Sequence, residues 1–428
     1  MGLMPTKNDF LQLRISPWRD LAAGFTVALV ALPLALAFGL ASGLGAEAGL
    51  TTAVLAGAIA AIFGGSRLQV SGPTGAMTVV LVPIFHSFGA SGVLFVGFLA
   101  GILLILAAIS KIGEHVHRIP TAVIDGFTAG IGIVIVLQQF ANIFGVAPNA
   151  AEKAWSFAWQ SVQDATSSFT RIPDLAAPAL AIGVAAALLI SSRFAPKVPL
   201  AMVMVAGATL VANILNLDVV RIGEMPARIG NFDLNFLNQS NIFQLLIPAI
   251  AVAVLAALES LLSAKVADGL RGNGERHDSN RELFGQGLAN LFAPLFGGVA
   301  ATAALARTAV NVKSNANSKL SAFSHSIFLA IAVLFFAPLV AQIPLAALAG
   351  VLLATMLHVI KPTEVMITMR NSKLDAIVFT VTFAATVFAD LISAVVIGTL
   401  LWLVLRKTKL ADLSRRVPSI DAAETLGD

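Results

Sequence analysis

The sequence predicts an all-α membrane protein of fourteen transmembrane segments, arranged as a seven-plus-seven inverted repeat. Three observations predict it. Of 428 residues, 57% are hydrophobic and only 12% are charged, about half the charged share of a soluble domain; the mean hydropathy is +0.88. Apolar runs near the length that crosses a bilayer, roughly 20 residues, recur along the whole chain. The motif Phe63-Gly64-Gly65 returns as Phe296-Gly297-Gly298, and in both copies ten residues separate the first glycine from a polar position, Thr74 in one and Arg307 in the other.

Taken in order, a segment 1–19 with Lys7, Arg14 and Arg19 precedes the first span. That span is long and runs on into a second, so the N-terminus is an anchor and not a cleaved signal peptide. Segment cores fall at 20–41, 47–64, 70–88, 92–110, 119–145, 175–192, 198–216, 242–264, 282–297, 303–321, 322–341, 344–359, 374–389 and 391–406. The third, ninth, tenth and twelfth are short or rich in Gly and Ala. The loop 147–174, with Trp155, Phe157 and Trp159, reads as an interfacial element, because Trp favours that layer. The tail 408–428 is polar. With the N-terminus inside, inner loops hold thirteen Lys and Arg, outer loops four, and the two tails eight more, so both termini are expected in the cytoplasm, with the chain in a cell (inner) membrane. A net charge of +4 carried mostly by loops excludes nucleic acid as a partner, and the absence of cysteine excludes disulfide and thiol chemistry.

The halves repeat a second time: Pro120 to Gly126 resembles Pro344 to Gly350, with Pro and Gly six apart in both. Seven spans per half is odd, so the second half runs inverted, and inverted repeats bring corresponding broken segments together near the midplane. Residues 73–88 and about 304–321 are expected as half-helices whose N-termini face each other, each offering free N–H groups and a partial positive charge to an anion. Pro73 suits a helix start, and Gly72 and Gly75 let backbone approach a ligand. Arg307 and Glu259 are the charges inside apolar segments, and Glu259 and Ser263 share a helix face. Each has a plainer reading: Glu259 as a hydrogen-bonded structural carboxylate, Arg307 as its neutraliser, Pro73-Thr74-Gly75 as a simple helix break, Phe38 as core or lipid contact. Asp268 and Lys265 read as a cap pair at the cytoplasmic end of the eighth span.

The stretches Ala31 to Gly39, Gly43 to Leu50, Ser71-Gly72-Pro73-Thr74-Gly75, Asn280 to Asn290 and Phe296-Gly297-Gly298 resemble the membrane domain of the SulP family of anion transporters, nearest to its cyanobacterial bicarbonate branch. The resemblance implies a UraA-like fold with a core domain (20–110 and 242–341) and a gate domain (111–241 and 342–407), a homodimer through the gate segments, and an elevator-like motion of the core. It places substrate at Phe38, Pro73, Thr74, Gly75, Ala304, Ala306 and Arg307. In the bicarbonate branch an Asp and a Thr of the eighth span are similar to sodium ligands; here these positions are Glu259 and Ser263, and the threonine that completes that site is Leu305. Leu34 stands where many relatives have Gln, Arg307 matches the arginine of animal chloride-handling relatives, and the family's usual STAS domain is not expected in this chain.

The expected activity is secondary transport of a small anion such as bicarbonate, a dicarboxylate, sulfate or chloride, with no cofactor and with H⁺ or Na⁺ as coupling ion. If Glu259 pairs with Arg307, protonating the acid frees the guanidinium for the anion, which favours proton coupling or exchange over sodium symport. A sodium-coupled bicarbonate symporter, a proton-coupled nucleobase carrier and a passive anion channel are the alternatives. Nucleobase sites usually need acids in both halves, and here the third segment supplies none. No metal cluster, nucleophile–base pair or HExxH-like motif supports an enzyme.

Overall fold

In this computed structural model, residues 2–114, 120–144, 175–194, 200–239, 242–272, 274–360, 362–389 and 391–406 are described, with isolated positions between 159 and 166. Helix α1 (Lys7–Gln12) precedes α2 (Pro17–Ala41), which opens on Pro17, where a missing N–H is harmless. Helix α3 (Ala46–Phe63) ends at Gly64, and the two-residue strand β1 (Ser71–Gly72) leads to α4 (Gly75–Ile109). Gly89, at φ 67° and ψ −170°, breaks α4 and separates the expected third and fourth segments. There follow α5 (Thr121–Phe144), α6 (Ala176–Phe194), α7 (Leu200–Ile214), α8 (Ile242–Arg271) and α9 (Ser279–Phe292). Strand β2 (Thr302–Ala303), α10 (Leu305–Lys313), α11 (Lys319–Val340), α12 (Leu345–Ile360), α13 (Pro362–Asn371), α14 (Lys373–Phe388) and α15 (Leu391–Leu405) complete the order. Among the described residues, seven helical stretches are long and apolar enough to cross a membrane by length and composition, one of them running from Leu345 to Asn371 over α12 and α13, and three more apolar helices are shorter. Every one of the fourteen expected segments falls on a helix; α13, with its mixed composition, was not expected.

The chain forms two compact units: Met1–Val116 with Ile135–Thr355, and His117–Val134 with Met356–Asp428. The expected core stretches lie in the first unit, together with residues 135–241 and 342–355 of the expected gate. Within it the two halves interleave: α11 packs on α2 and α3, and α9 packs on α3 and α4, with α8 also against α4. Small residues let these helices approach, as in the buried cluster Ala56, Ala60, Ala289, Ala293 and Ala301.

The Pro…Gly repeat has a structural counterpart. The Pro120 carbonyl accepts from the first turn of α5, and the Pro344 carbonyl from the first turn of α12. A Cβ on Gly126 would stand 2.6 Å from the Phe379 carbonyl oxygen, and one on Gly350 would stand 2.4 Å from that of Ala181. Each glycine thus seats its helix on the backbone of a neighbour.

Two expectations are corrected here. The second half-helix stops at Lys313 instead of reaching 321, because Asn315 turns at φ 62° and α11 already begins at Lys319. That start is fixed by Asp20, fully buried on α2, which accepts from the N–H groups of Asn317 (2.6 Å) and Ser318 (3.2 Å) and from the Ser318 hydroxyl (2.6 Å). Asp268 accepts from the His277 N–H at 2.9 Å and lies 2.7 Å from its Nδ1, so its partner is this histidine and not Lys265. Trp155, Phe157 and the tail 408–428 lie outside the described residues; Trp159 is exposed.

Candidate functional site

Strands β1 and β2 pair antiparallel, Ser71 opposite Ala303 and Gly72 opposite Thr302, so the two halves meet through the corresponding broken segments. A side-chain scaffold fixes this crossing. Glu282, Gln286 and Asn290 lie at i, i+4 and i+8 along one face of α9. Glu282 accepts from the N–H groups of Gly65 (2.9 Å) and Ser66 (3.0 Å), from Gln69 Nε2 (2.7 Å) and from Gln286 Nε2 (3.0 Å). Gln286 Nε2 also donates to Ser71 Oγ at 2.6 Å. The Asn290 amide exchanges two hydrogen bonds of 2.8 Å with the Ala301 backbone. The buried Thr308 hydroxyl accepts from the Val70 N–H at 3.1 Å and from Ser263 Oγ at 3.0 Å.

Each strand feeds a helix N-terminus, whose first N–H groups have no partner inside the helix. Thr74 is the N-cap of α4, its hydroxyl accepting from the Met77 N–H at 3.5 Å. Pro73 therefore precedes the cap instead of opening the helix. Ala304 is the N-cap of α10. The equal ten-residue spacing to Thr74 and Arg307 thus does not mark equivalent places, since Arg307 is the third residue inside its helix. Side chains on a helix lean toward its N-terminus, and Arg307 reaches back across the crossing to donate from Nη2 to the Pro73 carbonyl at 2.8 Å. It is 1% exposed, and its Nη1 has no hydrogen-bond partner among the described residues. Gly72 makes room for it: a Cβ there would stand 2.5 Å from Nη1.

The acid comes from α8. Glu259, half-buried, accepts from the Thr74 hydroxyl at 3.0 Å. The expected Glu259–Arg307 ion pair is not formed, because two neighbours in the β1–α4 turn, the Thr74 hydroxyl and the Pro73 carbonyl, take the two side chains instead. Phe38, 5% exposed, closes over Gly75, where a Cβ would stand 3.1 Å from its ring. Leu305 and Ala306, in the first turn of α10, are exposed, so this N-terminus is open. Among the described residues no cluster of three or more His, Asp or Glu side chains is placed to hold a metal ion.

All nine expected site residues therefore lie on or beside this crossing. Sequence reasoning missed Asp20, Glu282, Gln286, Asn290 and Thr308. For the three on α9, the four-residue spacing of the polar side chains was the available signal.

Two halves joined by paired short strands, each continuing into a broken helix, define a membrane transporter built on inverted repeats. The chain belongs to the sulfate permease family, which matches residues 18–382. It is 37% identical over 402 residues to the putative sulfate transporter YvdB of Bacillus subtilis, covering 93% of this chain and 75% of that one. It is 34% identical over 420 residues to the bicarbonate transporter BicA of a Picosynechococcus species, covering 95% and 73%. The transmembrane domain of a cyanobacterial BicA superposes with a TM-score of 0.80 at 32% identity, over 90% of this chain and 98% of that one. Murine Slc26a9, an anion transporter in the inward-facing state, superposes at 0.83 and 18% identity over 94% and 71%, which speaks for the fold alone. The protein is an anion transporter of this family and not an enzyme.

Proposed function

We propose that the chain is a secondary active transporter that binds one small inorganic or organic anion between the N-termini of α4 and α10, with Arg307 as its charged ligand. The observation that carries this is the Arg307 guanidinium, buried at the crossing with Nη1 unpartnered. A buried cation is costly unless something compensates it, and both helix termini add to its positive field. Thr74, Gly75, Ala304 and Ala306 offer backbone, Pro73 orients the arginine, and Phe38 walls the site. Bicarbonate and sulfate are favoured by the relatives' names, and dicarboxylate and chloride remain in the class the site fits.

Glu259 is the coupling group in this reading. It sits beside the anion's place, so its ionised form repels the anion, and taking up one proton removes that repulsion. One proton then travels with each anion, and the core moves past the gate in an elevator-like step. A sodium-coupled second reading rests on Glu259, Ser263 and the Thr308 hydroxyl that Ser263 meets, an oxygen that stands in for the side chain lost at Leu305. Uptake of labelled bicarbonate, sulfate and chloride into proteoliposomes, under separately imposed Na⁺ and proton gradients, decides between them. A proton gradient should drive uptake and Glu259→Gln should abolish that dependence; stimulation by Na⁺ at fixed pH, without a response to the proton gradient, supports the sodium reading instead.

A further inference from the structure

One buried donor near the crossing belongs to neither half-helix. Gln138, on α5, is 4% exposed and its Nε2 has no hydrogen-bond partner among the described residues. The adjacent Gln139 accepts from Asn142 Nδ2 of its own helix at 3.1 Å. One turn before Gln138, Ile135 lies against the start of α4: a Cβ on Gly75 would stand 2.4 Å from Ile135 Cδ1, and the Phe38 ring closes on the same spot. Residues three apart share a helix face, so Gln138 shares the face of α5 that carries Ile135. The preceding turns, Ile131 to Leu137, are otherwise purely apolar. A buried carboxamide N–H left without a partner is expensive.

We propose that Gln138 is a specificity-determining residue that donates its amide N–H to an oxyanion seated at Arg307. This inference rests on the anion site proposed above. The reason is geometric. The Arg307 and helix N–H groups approach the anion from the crossing, whereas Gln138 approaches from α5. An oxyanion spreads its acceptor oxygens over a larger volume and can meet both donors at once, while a smaller monatomic anion drawn against Arg307 stays short of the amide. A site built to donate a hydrogen bond discriminates against ligands that cannot accept it.

The test measures uptake of labelled sulfate, bicarbonate and chloride in proteoliposomes for the full chain, Gln138→Leu, Gln138→Met and Arg307→Ser. Both Gln138 substitutions remove the donor at similar volume, and Met keeps the unbranched shape in case Leu fails to fold. The expected result is a KM for the transported oxyanion raised about tenfold, the loss of one good hydrogen bond, with the chloride KM and the maximal rate unchanged. An unchanged oxyanion KM, a KM raised equally for every anion, or a wild-type protein that prefers chloride overturns the inference. If Arg307→Ser weakens binding while the Gln138 variants behave as wild type, only this inference fails. If none of the three variants alters uptake, the anion site itself is misplaced.

Discussion

Arg307 shows how one residue can be both structural and available. Its Nη2 is committed to the Pro73 carbonyl, while Nη1, equally buried, is committed to nothing. The charges were legible in the sequence because an ionisable residue in an apolar run stands out. The residues that hold the crossing were not, since Glu282, Gln286 and Asn290 sit in a short segment whose polar side chains look like a loop end. Their geometry makes a prediction. Asn290→Ala strips the Ala301 N–H and carbonyl of their partners, and each buried group left unmade costs about 1–3 kcal/mol. Thermal unfolding in detergent should show a Tm several degrees lower, whereas Phe38→Leu, on the ligand side, should leave Tm nearly unchanged and alter anion affinity.

Among elements, the short N-terminal helix has a pH signature. Asp9 on α1 accepts from Arg281 at 2.8 Å and from the Thr6 N–H at 2.7 Å. Burial alone would raise its pKa, but the Thr6 N–H, Arg281 and the Thr6 hydroxyl together bring it from 3.8 to about 2. A depressed carboxylate stabilises the fold above its unfolded pKa and loses that contribution as pH falls through its folded one. The hold on α1 should therefore be complete above about pH 4 and fade toward pH 2. Amide exchange over residues 5–16, corrected for intrinsic pH effects, should show it, and Asp9→Asn should flatten the profile. A second element-scale expectation concerns Gly350. Gly350→Leu puts a side chain where the Ala181 carbonyl lies, and overpacking of this kind typically costs 1–3 kcal/mol; yield of monodisperse protein should fall, while Leu353→Ala, on the same helix, should be milder. Element positions were largely legible, from apolar length and from Pro and Gly punctuation. Their ends were not: the stop of α10 depends on Asn315 turning left-handed and on Asp20, 297 residues from Asn317 in sequence, capping the next helix.

For the whole molecule, the inverted repeat was legible because a broken segment needs Gly and Pro, and both halves print them at the same offsets. Which helix packs on which was not, because spans that are apolar nearly all round carry little periodicity to mark a buried face. Family resemblance suggests a homodimer through the last segments, Asp375 to Leu405, and their exposed side chains Ile397, Leu400 and Val404 offer an apolar surface to a partner or to lipid alike. Native mass measurement in nanodiscs should find a weak dimer that Leu400→Arg dissociates; monomers at every concentration would remove the dimer.

The proposed anion site centres on Arg307 at the crossing of the two halves. The most direct measurement is equilibrium binding of labelled bicarbonate, sulfate and chloride to purified wild-type protein, Arg307→Ser and Arg307→Lys. The wild type should bind at least one anion saturably. That binding should weaken about tenfold or more without the charge, equivalent to at least about 1.4 kcal/mol. Lysine, which keeps charge but not the forked geometry, should recover part of it. Equal affinity and unchanged anion preference in all three proteins, each folded, would contradict it.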